Sequence, residues 1–144
     1  MTVHILKLCV GVDHIEQLEM FQKRRLAAMG KAGQTPKLRH VTRHRPRREV
    51  EVLDGGSLYW VIRGFVQVRQ RIIGLETVST DEGRKCGLVL DPELVRTELQ
   101  PRRPHQGWRY LEPKDAPSDL LTPHASDDEM PPEMRAELRE LGLL

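Results

Sequence analysis

Between residues 37 and 50 stand Lys37, Arg39, Arg43, Arg45, Arg47 and Arg48 against the single carboxylate Glu49. Arginine outnumbers lysine five to one in this block. A guanidinium fork bonds two phosphate oxygens at once, so the block suits a polyanion. A second group, Gln67, Arg69 and Arg71, recurs at every second residue and so shares one side of an extended strand. A third is the run Pro101-Arg102-Arg103-Pro104-His105-Gln106-Gly107-Trp108-Arg109-Tyr110. Its prolines hold the backbone extended, and its aromatics alternate with arginine. That composition stacks bases while binding phosphates. The chain has two Phe, two Trp and two Tyr, and four of these six are Tyr59, Trp60, Trp108 and Tyr110. The candidate nucleic-acid-binding set is therefore Arg43, Arg45, Arg47, Arg48, Arg69, Arg71, Arg102, Arg103 and Arg109, with Trp60 and Trp108 as stacking faces. Each also has a plainer use. The block can be a solvated loop, Arg69 and Arg71 can snorkel from an exposed sheet face, and Trp108 can anchor a core.

Other chemistry finds less support. His40 and His44 have the spacing of a helical zinc pair, but the glutamate of that motif is missing and Arg43 would repel a cation. Ser57 follows Gly55-Gly56, yet Tyr59 stands where a nucleophile elbow has glycine, and the strand follows the serine instead of preceding it. No glycine-rich nucleotide loop occurs. Cys9 and Cys86 sit in apolar runs with no Cys-x-x-Cys spacing and read as buried small hydrophobes. The sequence thus assigns no catalytic residue, no metal and no cofactor. A rival reading as a small hydrolase or nucleic-acid-modifying enzyme would have to draw its general base from His40, His44 or His105.

The elements that must carry these groups are set by periodicity. Val3 to Val10 is apolar on both sides, interrupted by His4 and Lys7, and reads as a central strand. Asp13 reads as an N-cap with Glu16 as its capping-box partner, opening a helix to Met29 that Gly30 ends. Leu38 to Thr42 is a short strand or extended loop. Pro46 opens a short helix with Val50 and Leu53 inward. Ser57 to Arg63 is an interior strand, and Phe65 to Val78 an alternating one in which Gly74 marks a bulge or bend. In that run Phe65, Gln67, Arg69, Arg71 and Ile73 share one side. Asp81-Glu82-Gly83 turns the chain back through Lys85 to Leu90. Asp91-Pro92 opens a helical turn with Leu94 and Val95 inward, and Gly107 to Leu111 is a last strand. Beyond it prolines punctuate an acidic segment that ends in a short amphipathic helix, Glu133 to Leu143, with Met134, Leu138 and Leu141 on one stripe.

Strands that succeed one another, with helices mostly ahead of them, give an α+β class and suit a small, mixed, partly closed β-barrel with flanking helices. The expected division is a domain over 1–112 and an acidic, proline-rich tail over 113–144. The tail holds three cations against eight carboxylates. The chain is 144 residues long, 38% apolar and 31% charged. That excludes a membrane-spanning helix, because the longest uncharged apolar run, Leu58 to Ile62, falls far short of the ~20 residues needed. With no export signal visible at Met1 to Lys7, the expected location is cytoplasmic.

Four stretches carry a resemblance. Leu53 to Ile62, Arg69 to Leu75, Leu90 to Val95 and Gln106 to Leu111 resemble a family of uncharacterised bacterial proteins, mostly alphaproteobacterial. The likeness runs from about residue 3 to residue 120. More loosely, the order of elements is similar to the PUA-like superfamily, notably its EVE and ASCH members. There a lysine-bearing strand and an acidic helix precede an arginine-containing segment, a short helix and an aromatic strand. Ile5-Leu6-Lys7-Leu8, Glu16-Gln17-Leu18, Thr42 to Leu53, Gly55 to Trp60 and Ile72 to Val78 occupy those places. Gly56 or Ser57 replaces the usual Asp, and His44 the usual Asn. The PUA-like likeness implies a small barrel that binds RNA or modified DNA bases. The expected function is a non-enzymatic nucleic-acid-binding domain, for RNA or DNA, with a protein-interaction adaptor acting through residues 133–143 as a further alternative.

Overall fold

The computed structural model describes residues 1–120, so the expected helix at 133–143 lies outside the described residues. The chain runs β1 (His4–Leu8), α1 (Ile15–Lys31), β2 (Leu38–Thr42), α2 (Glu49–Leu53), β3 (Ser57–Ile62), β4 (Phe65–Thr80), β5 (Gly83–Leu90), β6 (Val95–Pro101) and β7 (Trp108–Leu111). One sheet joins all seven strands in the order β2-β5-β4-β3-β1-β7, with β6 also paired to β4. The fold is mixed α+β, since β1 runs parallel to β3 and antiparallel to β7. The apolar run at Val3 explains the placement. Val3, Ile5 and Leu6 are buried, as is every residue of β3, so both strands are interior.

The sheet does not close into a barrel. β2 and β7 stand at opposite ends of the strand order, and among the described residues no ladder joins them. The long β4 bends instead. Its N-terminal half pairs with β3 and β6, and its C-terminal half with β5, the register shifting between Ile72 and Gly74. Gly74 therefore marks the bulge its sequence context suggests. β5 and β6 lie one after the other along β4, broken by residues 91–94.

Four local expectations need correction. The cap of α1 lies one residue later, at His14, and Gln17, not Glu16, closes it: its Oε1 accepts from the Asp13 and His14 amides at 2.6 and 3.1 Å. α2 begins at Glu49 and buries Val52, while Val50 and Leu53 face out. Residues 91–94 form no helix, because the Asp91 carboxylate accepts the Glu93 amide at 2.9 Å and turns the chain. The chain then enters β6, whose Thr97 and Leu99 are buried at every second residue. Finally, the faces of β4 change phase. Val61 pairs with Val66 but Trp60 with Val68, so Gln67 is the extra residue. Phe65 and Arg69 then lie on opposite sides of the sheet, and Gln67 turns inward to donate Nε2 to the Ile62 carbonyl at 2.8 Å.

Candidate ligand-binding cleft

Cross-strand register sorts the sheet into two faces. Lys7, Trp60, Val68 and Trp108 lie in one row across four strands, with Ile5, Leu58, Gln70 and Tyr110 on the same face. The other face carries Leu6, Tyr59, Arg69 and Arg109, together with Ser57 and Arg71. The arginines expected to share a concavity with the tryptophans are thus divided by the sheet itself.

Their partners show what most of them do. Arg69 forks onto Asp119 with two 2.7 Å bonds and donates to Ser57 Oγ at 3.0 Å. This pair holds the Asp119 carboxyl below its usual range, through the Arg69 hydrogen bond first. Arg48 bonds Glu51 and Glu112 and lies over the Tyr110 ring, 5.3 Å from its centroid. Arg45 is bound to Glu49 at 2.7 Å. Arg102 donates Nε to Gln100 at 2.9 Å. Trp108 donates Nε1 to the His44 carbonyl at 2.9 Å, and the Tyr110 hydroxyl accepts the Arg48 amide at 3.1 Å. The aromatic pair of β7 therefore docks the 43–48 loop through its polar atoms, with both rings half-buried. Trp60 is 4% exposed. Arg43, Arg47, Arg71, Arg103 and Arg109 are exposed and make no ion pair among the described residues.

A different cluster forms where α1 passes over the end of β1 toward β2. There a recess of about 200 Å³ is lined by Lys7, Cys9, Phe21, Arg25, Arg39 and His40, among others, with Leu18, Trp60 and Leu90 behind them. It opens beside a wider groove of about 640 Å³ along Arg25, Lys37, Arg39 and His40. No Asp or Glu lines either space. Arg39 and Lys37 both bind Glu76, at 3.2 and 2.5 Å. Lys7 and Arg25 have no ion pair among the described residues, although Lys7 is half-buried. Beneath them lies a buried polar relay. Gln70 Oε1 accepts from Trp60 Nε1 at 2.9 Å and from Gln22 Nε2 at 2.8 Å.

Burial, then the charges of Lys7 and Arg25, push the His40 imidazole down to about 4. Its ring stands edge-on to Trp60, 5.0 Å between centroids, and its Nε2 is buried with no hydrogen-bond partner. Lys7 is likewise lowered by burial. The Cys9 thiol is pushed up to about 11 by burial, so at neutral pH it is a thiol and not a nucleophilic thiolate. Among the described residues no group of three His, Cys, Asp or Glu is placed to hold a metal ion.

The His40 shift has a measurable sign. The unfolded chain takes up this proton near pH 6.5, whereas the folded one resists it until about pH 4. Stability contributed by the neutral ring is therefore full above pH 6.5 and is lost as the pH falls toward 4. Between pH 7 and pH 5 the loss from this group is about 2 kcal/mol. On acidification the urea midpoint of the native chain should fall relative to that of His40→Gln. Parallel pH curves for the two would show that His40 is not held neutral.

Of the cleft residues, the sequence singled out Trp60 as a stacking face and placed Lys37 and Arg39 in its basic block. Lys7, Arg25 and Arg39 lie on three elements far apart in the chain, and nothing in local spacing unites them. Besides the basic block, the signal was Lys7, a cation inside an otherwise apolar strand. No curated protein and no solved structure matches the chain. The family model DUF1489, protein of unknown function, matches residues 5–144, and the chain belongs to that family.

Proposed function

We propose that the chain binds single-stranded nucleic acid along the groove between α1 and β2. The observation that carries this reading is a concave surface bearing Lys7, Arg25, Lys37 and Arg39 with no carboxylate in its lining. Two of these cations have no counter-charge among the described residues, and holding a half-buried Lys7 uncompensated costs stability that an anion would return. Phe21, 44% exposed on the rim, gives a base a face to stack on. The sequence-level likeness to PUA-like domains points to the same ligand class. Arg43 and Arg47 lie beyond the end of β2, where they add positive charge. The ligand site so read keeps Trp60 in its wall and leaves out Arg69, Arg71 and Trp108, and a nucleic-acid partner suits a cytoplasmic location.

Binding should be salt-dependent. Three or four phosphate contacts to a single strand give a slope of about −2 to −3 in log affinity against log salt. A fourfold rise in salt then weakens binding by about 20- to 50-fold. Fluorescence anisotropy with labelled single-stranded RNA and DNA measures this, and Arg25→Glu should reduce affinity for both. Absence of binding at low salt, or an affinity indifferent to salt, sinks the proposal.

A further inference from the structure

Resting on that reading, we infer that the recess at the inner end of the groove takes a phosphate monoester dianion, the phosphorylated end of a strand. Three observations lead there. The first is shape. Leu18, Trp60 and Leu90 close the recess from behind, and all three are buried. A phosphodiester chain needs an entrance and an exit, whereas a recess closed behind admits a terminus. The second is charge. Lys7 and Arg25 face a lining without carboxylates, and Arg39 shares Glu76 with Lys37. A monoester brings close to two negative charges and three acceptor oxygens, against one charge for an internal phosphate. A neutral base would leave both cations unpaired. The third is His40, which lines the same recess and whose Nε2 is buried without a hydrogen-bond partner. In its Nε2–H tautomer the ring donates to a phosphate oxygen, which gives a desolvated polar atom its missing partner. The half-buried Lys7 adds a charge-assisted bond to the same group.

The same dianion exists on free mononucleotides and as inorganic phosphate, so the test separates the sources. Affinity is measured for one short single strand with a 5′ phosphate, a 3′ phosphate, or hydroxyls at both ends. Mononucleotide and inorganic phosphate are measured beside it by calorimetry. One phosphorylated end should bind about tenfold or more tightly than the hydroxyl-ended strand, roughly one charge-assisted hydrogen bond's worth of preference. In Lys7→Met and in His40→Leu, which has no side-chain donor, that ratio should collapse toward one. Thermal melts of both variants establish that they fold, and Arg25→Gln on the exposed helix face supplies a third variant if either does not. Equal affinity for phosphate- and hydroxyl-ended strands overturns the inference while leaving strand binding intact. No strand binding, together with Lys7-dependent binding of the mononucleotide or inorganic phosphate, overturns the strand as the source and removes strand binding along the groove with it. No binding of any of these ligands overturns both.

Discussion

Replacing Gly56 with alanine should lower the stability of the protein by about 3 kcal/mol or more, a large share of what a domain of this size has. Gly56 sits where α2 hands over to β3. Its amide donates to the Val52 carbonyl at 2.9 Å, and its own carbonyl accepts the Ile72 amide at 2.9 Å. A Cβ here would fall under 3.0 Å from the carbonyl oxygens of Val52 and Val3. Both are backbone atoms, so relief requires moving α2 or the segment leading into β1, and Val3 and Val52 are fully buried. The control is Gly30→Ala. That position lies within α1, and nothing stands within 4 Å of its added Cβ. Alanine there should be neutral or stabilise by up to about 1 kcal/mol through helix propensity. Urea unfolding of the two variants, read at a common slope, decides the matter. A Gly56→Ala midpoint equal to that of the native chain would show that α2 and β1 do not crowd this residue.

Gln70→Leu is expected to be comparably damaging, at about 3 kcal/mol, although leucine suits an interior strand. Gln70 is completely buried and uses its whole amide. Its oxygen accepts from Gln22 and Trp60, while its nitrogen donates to Gln22 Oε1 at 2.9 Å and to the Asp91 carbonyl at 3.1 Å. Leucine would strand the indole N–H and the Gln22 amide in the interior, at about 1–3 kcal/mol for each group left unpaired. Adding Gln22→Leu removes one of the stranded groups, so the double variant should recover part of the loss. Strict additivity of the two substitutions in urea melts would mean that the two amides do not act as a unit.

Much of the fold is legible in the sequence because strong local patterns meet no competing force. β1, β3 and the turn at Asp81-Glu82 come directly from apolar runs and turn chemistry. β6 is hidden because Asp91-Pro92 resembles a helix start, while the alternation of Val95, Thr97 and Leu99 is the better signal. The faces of β4 fail for another reason. Strict alternation assumes an unbroken ladder, and the extra residue at Gln67 reverses the phase, which no period-two count detects. The pairing of the arginines is hidden from the sequence because arginine density measures charge and not freedom. Arg45, Arg48 and Arg69 are neutralised by Glu49, Glu51, Glu112 and Asp119, some of them distant in the chain. Lys7 and Arg25, also without an ion pair among the described residues, stand alone among apolar or mixed neighbours, where charge density gives no signal.

The position of β1 between β3 and β7 has a consequence during synthesis. The strand leaves the ribosome before both of its neighbours, the parallel one emerging roughly fifty residues later and the antiparallel one roughly a hundred. Until then a nascent chain carries an apolar ribbon with both margins open, the kind of segment that pairs with the wrong molecule. Productive folding must therefore wait until residues around 111 have emerged, so a stalled or truncated product ending before β7 should be a substrate for chaperones and not a smaller working domain.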